Sequence, residues 1–543
     1  MASRDACISG LAPRLVCAAI LTAAAALPQT TETPLPRIVQ KDGRYALFVD
    51  GAPFLMLGAQ VNNSSAWPAM LPKVWPAIEY LQANTVEAPV YWEQFEPRPG
   101  EFDYSNIDTL LSQAREHRVR LVLLWFGTWK NGSAHYLPLW MKAEPERYPR
   151  MTGKDGRPVD SPSPYAVATL EADKRAFVAL LRYLKEADAR HTVIMVQVEN
   201  EAGTWGAVRD YSPAAQKLFE GPVPAELLAA LHKETGHGAS WQEAFGAESE
   251  EFFHAWSVAR YVGQVAAAGK AGYALPLYTN AALRDPLKPG PPGSYQSGGP
   301  TDNVIPIWKA AAPALDLVAP DIYMSDSARY LKVLELYQRP DNALFVPETG
   351  NAPIYARFLF AALGHRAIGF APFGVDYTGY SNAPLGAARM DEESLAPFAL
   401  NYKLIGPMMR EIARLNFEGR LQAVAEETDM HSQMLEFGPW RAVVSYGVPA
   451  FGPGDHPRGN PQPVGRALVA RLGDNQFLAA GFFCRVDFHT NAPGRQREFL
   501  RVEEGVYRDG VFEPWRIWNG DQTDWGLNFS SAPQVLRVSL GTY

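Results

Sequence analysis

Cysteine is scarce in this 543-residue chain, which holds only Cys7, Cys17 and Cys484. So few thiols exclude a disulfide framework, and stability has to come from core burial. There is no Cys-x-x-Cys and no His-Glu-x-x-His, and no metal is expected. His232 and His237, in His-Lys-Glu-Thr-Gly-His, are a poor metal pair and read as a solvated helix end. No Gly-rich phosphate loop follows the first apolar strand, which counts against a dinucleotide fold. The Walker sequence and the Gly-x-Ser-x-Gly elbow are missing too, against phosphoryl transfer and a serine esterase. No cofactor is implied. The net charge is −8 with no basic tract, which argues against nucleic acid or an anionic membrane as partner. The apolar stretch Leu15–Leu27 is too short for a comfortable membrane span.

What the chain does have is ample core material, with 47% hydrophobic and 20% charged residues. That suits a large domain plus a smaller companion. Arg4 and Arg14, the apolar stretch and Ala24-Ala25-Ala26 read as a signal peptide over residues 1–27, so the expected location is periplasmic or secreted. Its removal would leave Cys484 as the single cysteine, in a strand-like run where a buried, inert thiol is expected. A proline-rich linker over 28–37 follows.

From residue 38 to 415, eight apolar strands alternate with helical patterns. The strands are Phe54–Gln60, Thr85–Tyr91, Leu121–Phe126, Val193–Glu199, Leu275–Asn280, Leu317–Tyr323, Leu344–Glu348 and Ala367–Phe373. Ser105 is the expected cap of a helix with Ile107, Leu110, Leu111 and Ala114 on one face. Lys174–Ala187 and Phe252–Ala268 repeat the helical signal, and Leu395–Arg414 closes the series. Near-continuous apolar strands separated by helices mean a parallel sheet covered on both faces. Eight repeats favour a closed (β/α)8 TIM barrel, an α/β fold, over an open sheet. Residues 416–543 change character, with short strands between Gly, Pro, Asn and Asp turns, and read as a smaller all-β sandwich domain. Trp515, Trp518 and Trp525 are its candidates for stacking on sugar, against the simpler role of packing on the barrel.

Two strands end on acids: Val198-Glu199-Asn200-Glu201 closes the fourth and Phe345-Val346-Pro347-Glu348 the seventh. A carboxylate at the mouth of a buried strand is costly unless something uses or pairs it. Barrel strand ends converge on one pocket, and a pair of opposed carboxyls is what glycoside hydrolysis requires. Regular alternation would point Glu199 and Glu201 the same way, so alternation does not choose between them. The Asp285–Asp302 loop after strand five is expected on the same face.

Val198-Glu199-Asn200-Glu201-Ala202-Gly203 resembles the Gln-x-Glu-Asn-Glu-x-Gly motif of glycoside hydrolase family 35, the retaining β-galactosidases. Thr85-Val86-Glu87 through Trp92, then Phe95-Glu96-Pro97 and Pro99-Gly100-Glu101-Phe102-Asp103-Tyr104, is similar to that family's second-strand signature. The resemblance covers about residues 38–400. It implies Glu201 as general acid/base, Glu348 as nucleophile and Asn200 on the sugar 2-hydroxyl. It also implies Tyr323 beside the nucleophile and counts Tyr91 among the substrate-binding residues. The chain departs from the family at Pro89, where a tyrosine is usual. It departs again at Trp125–Ser133, where an acidic sugar contact is missing and Lys130 and Asn131 are the nearby substitutes. The combination looks like a bacterial branch with a barrel and one sandwich, some of whose members release galactose from plant polysaccharides such as xyloglucan. A carbohydrate substrate is thus the expected partner, with oligomeric state left open. The alternatives are a family 42 enzyme, an endo-acting glucanase, or a barrel that binds sugar without cleaving it.

Overall fold

The computed structural model describes residues 33–233, 238–447, 457–508 and 510–543. The leader over 1–27, residues 28–32 of the linker, and His237 lie outside them. Residues 34–543 form one unit. Among the described residues no helix is long and apolar enough to cross a membrane.

Eight parallel strands close into a barrel in sequence order: Met56–Gln60, Thr85–Tyr91, Arg120–Lys130, Val193–Asn200, Leu277–Ala282, Leu317–Ile322, Val346–Thr349 and Gly369–Pro372. Nearly every residue of these strands is buried, because side chains fill the interior while helices cover the outside. Helices Val167–Ala187 and Ser249–Gly272 form part of this cover.

The entry to the barrel differs from expectation. Arg37–Lys41, Arg44–Val49 and Ala52–Phe54 form a separate three-stranded antiparallel sheet, and the first barrel strand starts only at Met56. The two hairpins turn on Asp42-Gly43 and Asp50-Gly51, all four residues with positive φ, as two-residue hairpin turns require. Ser105 is not the cap of its helix. It is the first helical residue, and its N–H donates to the Asp103 carboxylate at 2.9 Å. The apolar face is nonetheless Ile107, Leu110, Leu111 and Ala114. The closing helix is broken into Glu392–Ile405 and Met409–Phe417, because Pro407 interrupts the hydrogen-bond ladder.

Beyond the barrel, a six-stranded and a four-stranded antiparallel sheet face each other. Phe477 of the larger sheet packs on Phe437 and Phe488 of the smaller. Along Arg466–Gly473 and Gln476–Phe482, Ala467, Val469, Phe477 and Ala479 enter the sandwich core. The alternate residues Leu468, Ala470, Leu478 and Ala480 join the barrel's hydrophobic cluster. Both faces of this sheet are therefore buried, and Arg466 fastens the contact by donating to Asn401 Oδ1 at 2.7 Å. Cys484 is buried and free. Trp518 is buried, its indole N–H given to Glu504, whereas Trp515 and Trp525 are exposed.

Candidate active site

The barrel's strand ends open into a cavity of about 1030 Å³ lined by Lys130, Asn131, Glu201, Asp321, Tyr323 and Glu348 at its floor and walls. One carboxyl oxygen each of Glu201, Asp321 and Glu348 lies within 4.8 Å of the others. At that spacing two carboxylates repel by about 3 kcal/mol at an effective dielectric of about 20, so the trio resists full ionisation.

Glu201 and Glu199 take different directions. Glu199 has φ +62° and Glu201 φ +44°, a left-handed conformation that is uncommon outside glycine, and it breaks the strand's alternation. Glu199 turns into a closed chamber, accepting from the Trp129 N–H at 2.7 Å and facing Asp173. Asp173 is itself held by Trp125 and Thr128 at 2.9 and 2.6 Å. Burial first, and then the Asp173 charge, push Glu199 well above the usual carboxylate range. Glu201 instead faces the cavity. Its backbone N–H donates to Asn280 Oδ1 at 2.9 Å and its carbonyl accepts from Gln296 Nε2 at 2.7 Å. Gln296 belongs to the long loop after strand five, whose ends are clamped by the Arg284–Asp302 ion pair at 2.7 Å. That loop therefore supports the Glu201 segment from behind and adds Leu283 to the cavity wall.

Withdrawal from bulk water, and then the negative charge of Glu348, push Glu201 up to about 7. The Lys130 ammonium and the Asp321 side chain pull the other way. Glu348 is fixed from both sides: Tyr323 O–H donates to one oxygen at 2.6 Å and Gln60 Nε2–H to the other at 3.0 Å. A carboxylate with both oxygens so engaged is held in one orientation, as a nucleophile has to be.

Five of the seven residues singled out from the sequence line this one cavity: Glu201, Glu348, Tyr323, Lys130 and Asn131. Asn200 is fully buried beside them, and both atoms of its side-chain amide lack a partner within the protein. Buried amides are normally satisfied, so the unpartnered Asn200 amide stands out beside Glu201, although it does not itself line the cavity. Tyr91 is not among the residues that line the cavity: its ring is stacked on Trp67 and Tyr136 and its hydroxyl accepts from the Ala66 N–H at 3.1 Å. Sequence reasoning missed Asp321, Gln60 and Asn280. It also missed the rim, where Asp376 accepts from the Asn62 side chain at 3.0 Å and pins the segment leading to Tyr380 and Leu385.

Residues 73–266 match the family model of glycoside hydrolase family 42, described as β-galactosidase. Residues 398–530 match a domain of unknown function, DUF5597. The first match spans the second to fourth barrel strands, including Glu201; the second spans the end of the barrel and most of the sandwich. No curated protein matches the sequence. Similar solved structures include the β-galactosidase of Bacillus circulans sp. alkalophilus, at 14% identity and TM-score 0.48, covering 66% of this chain and 57% of that one. The cold-adapted β-galactosidase of Rahnella sp. R3 is 16% identical, with TM-score 0.48 and coverage of 67% and 58%. That of the psychrophilic Marinomonas ef1 is 13% identical, with TM-score 0.46 and coverage of 66% and 61%. The chain thus spans less than two thirds of the length of each.

Proposed function

We propose that this protein is a retaining exo-β-galactosidase that removes terminal β-D-galactosyl residues by double displacement. Glu201 is its general acid/base and Glu348 its nucleophile. The observation that carries the reading is the approach of the Glu201 and Glu348 carboxyls to within 4.8 Å. Retaining enzymes hold their carboxyls about 5–5.5 Å apart, whereas inverting ones need roughly 6.5–9.5 Å to admit a water. Glu348 attacks the anomeric carbon while Glu201 gives its proton to the departing oxygen. Glu201 then removes a proton from the water that opens the glycosyl ester. While Glu348 is esterified its charge is gone, so Glu201 becomes a stronger acid and can serve as a base at the same pH. Asn200, with its unpartnered amide, is assigned to the sugar 2-hydroxyl.

Sugar identity rests on the β-galactosidase family match over 73–266 and on the motif resemblance to family 35. The match favours family 42 and the motifs favour family 35, and both lead to the same two-carboxylate chemistry. The cavity, at about 1030 Å³, stands at the top of the ~300–1,000 Å³ range of small-ligand pockets. Room therefore remains for sugars beyond the one cleaved. Exposed Trp205 and Tyr380 on its wall offer stacking faces for them, which fits a galactosylated plant oligosaccharide or polysaccharide such as xyloglucan. A secreted or periplasmic location belongs to the same reading, since such polymers are met outside the cytoplasm.

A panel of aryl β-glycosides tests the proposal. The galactoside should be cleaved fastest, the first sugar released should be the β-anomer by NMR, and galactosylated xyloglucan oligosaccharides should yield free galactose. An α-anomer as first product, or a preferred sugar other than galactose, would refute it. The pH dependence follows from Glu201. Its protonated form is the competent one, so kcat/KM on the free enzyme should fall as pH rises through about 7.

A further inference from the structure

We propose that Asp321 is a third carboxyl of the reaction centre, a positioning residue that keeps its own proton through turnover and orients Glu201 through Asn280. The inference rests on the two-carboxylate reading above. It begins with hydrogen-bond polarity. The Glu201 backbone N–H can only donate, so Asn280 Oδ1, 2.9 Å away, is the acceptor. That fixes the Asn280 amide and directs its N–H group at Asp321 Oδ2, 2.6 Å away, which must accept. Any proton on Asp321 is therefore confined to Oδ1, which is buried, is not engaged by any other residue at strict hydrogen-bond geometry, and interacts with the Glu201 carboxyl.

Charge leads to the same place. Double displacement needs Glu348 as a carboxylate and Glu201 as an acid, and among the described residues Lys130 is the ammonium that acts on Glu201 and Asp321. With Glu348 ionised, one negative charge already stands in the cluster against that ammonium, so an ionised Asp321 would leave the buried site net negative. The remaining titratable groups facing Asp321 are the phenols of Tyr278, Tyr323 and Tyr337, which are neutral hydrogen-bonding groups. Burial first, and then the charge of Glu348, hold the Asp321 carboxyl well above the usual carboxylate range, and the charge of Glu201 adds to this once that group ionises. A neutral Asp321 serves both half-reactions. It leaves the Glu348 carboxylate as the only negative neighbour raising the proton affinity of Glu201. It also presents an O–H toward Glu201 when that group ionises in the first step, and it moves no proton of its own.

The test compares Asp321→Asn with Asp321→Ala, both checked for an unchanged thermal melt, on an aryl β-galactoside across pH. Asparagine is isosteric and uncharged. Its oxygen accepts from Asn280 and its N–H₂ takes the place of the carboxyl O–H as a weaker donor. Asp321→Asn should lower kcat by less than about tenfold, with the alkaline limb of kcat/KM within about 0.3 pH units of the parent enzyme. Asp321→Ala removes the donor and frees Asn280. It should lower kcat by more than about a hundredfold and move that limb upward, because ionised Glu201 loses a partner. The result that overturns the proposal is a downward shift of about one pH unit in Asp321→Asn. That is the mark of a lost negative charge. Equal rates for Asp321→Ala and the parent enzyme would overturn it as well. Glu348→Gln is run alongside: if it turns over like the parent, the two-carboxylate reading itself fails, whatever the Asp321 variants do.

Discussion

Glu348→Gln should reduce turnover of aryl β-galactosides by about 10⁴-fold or more, the scale of removing a covalent nucleophile, while the protein melts as before. The surroundings explain why the loss is chemical rather than structural. The carboxylate accepts from Tyr323 O–H and from Gln60 Nε2–H, so an amide at 348 would place its N–H₂ against one of two donors. Both can adapt. The phenol can rotate and accept, and Gln60 can turn its amide, because its Oε1 lacks a partner. Glutamine is thus accommodated with its shape and hydrogen bonds kept, and what disappears is the electron pair that attacks the anomeric carbon. Steady-state rates with a paired thermal melt check this. Retention of more than about 1% of the parent rate with an intact fold would transfer the nucleophile to another group.

The barrel was legible because a strand buried on both faces reads as an unbroken apolar run, and Thr85–Tyr91 is bounded in the sequence as it is in the structure. Sandwich strands Cys484–Thr490 and Val511–Trp518 have no such run, and their bounds are not legible in the sequence. The first alternates buried residues with half-exposed charged ones, and the second is a mostly exposed edge strand containing Pro514, where a proline costs no ladder bond. At the site, Glu201 and Glu348 stood out as acids that close apolar strands. Asp321 did not, because Val318-Ala319-Pro320 precedes it and Ile322 follows, so it sits inside a strand rather than at its end. Gln60 and Asn280 are amides with no pattern of their own, and their importance exists only through what they hold. Glu199 and Glu201 could not be separated by alternation, because two successive alternate residues adopt a left-handed backbone, and that conformation comes from tertiary contacts to Trp129, Asn280 and Gln296.

Glu201→Ala is expected to divide substrates by their leaving group. With a poor leaving group, such as the hydroxyl of a second sugar, the first step depends on the proton from Glu201, and the rate should fall by about 10²–10⁴-fold. A dinitrophenolate departs without that proton, so formation of the glycosyl ester on Glu348 should slow by less than about tenfold. The second step loses its base for every substrate. The ester therefore accumulates, giving a burst of phenolate followed by a slow steady state with a lowered KM. Azide, which needs no base, should fit the space vacated beside Lys130 and accelerate the slow phase, releasing a β-galactosyl azide of retained configuration. The alkaline limb near pH 7 assigned to Glu201 should disappear from the first step on the activated substrate, since no proton donor remains to be titrated. Equal loss on activated and natural substrates, or a limb that survives the substitution, would remove Glu201 from the acid/base role and leave Glu348 without its partner.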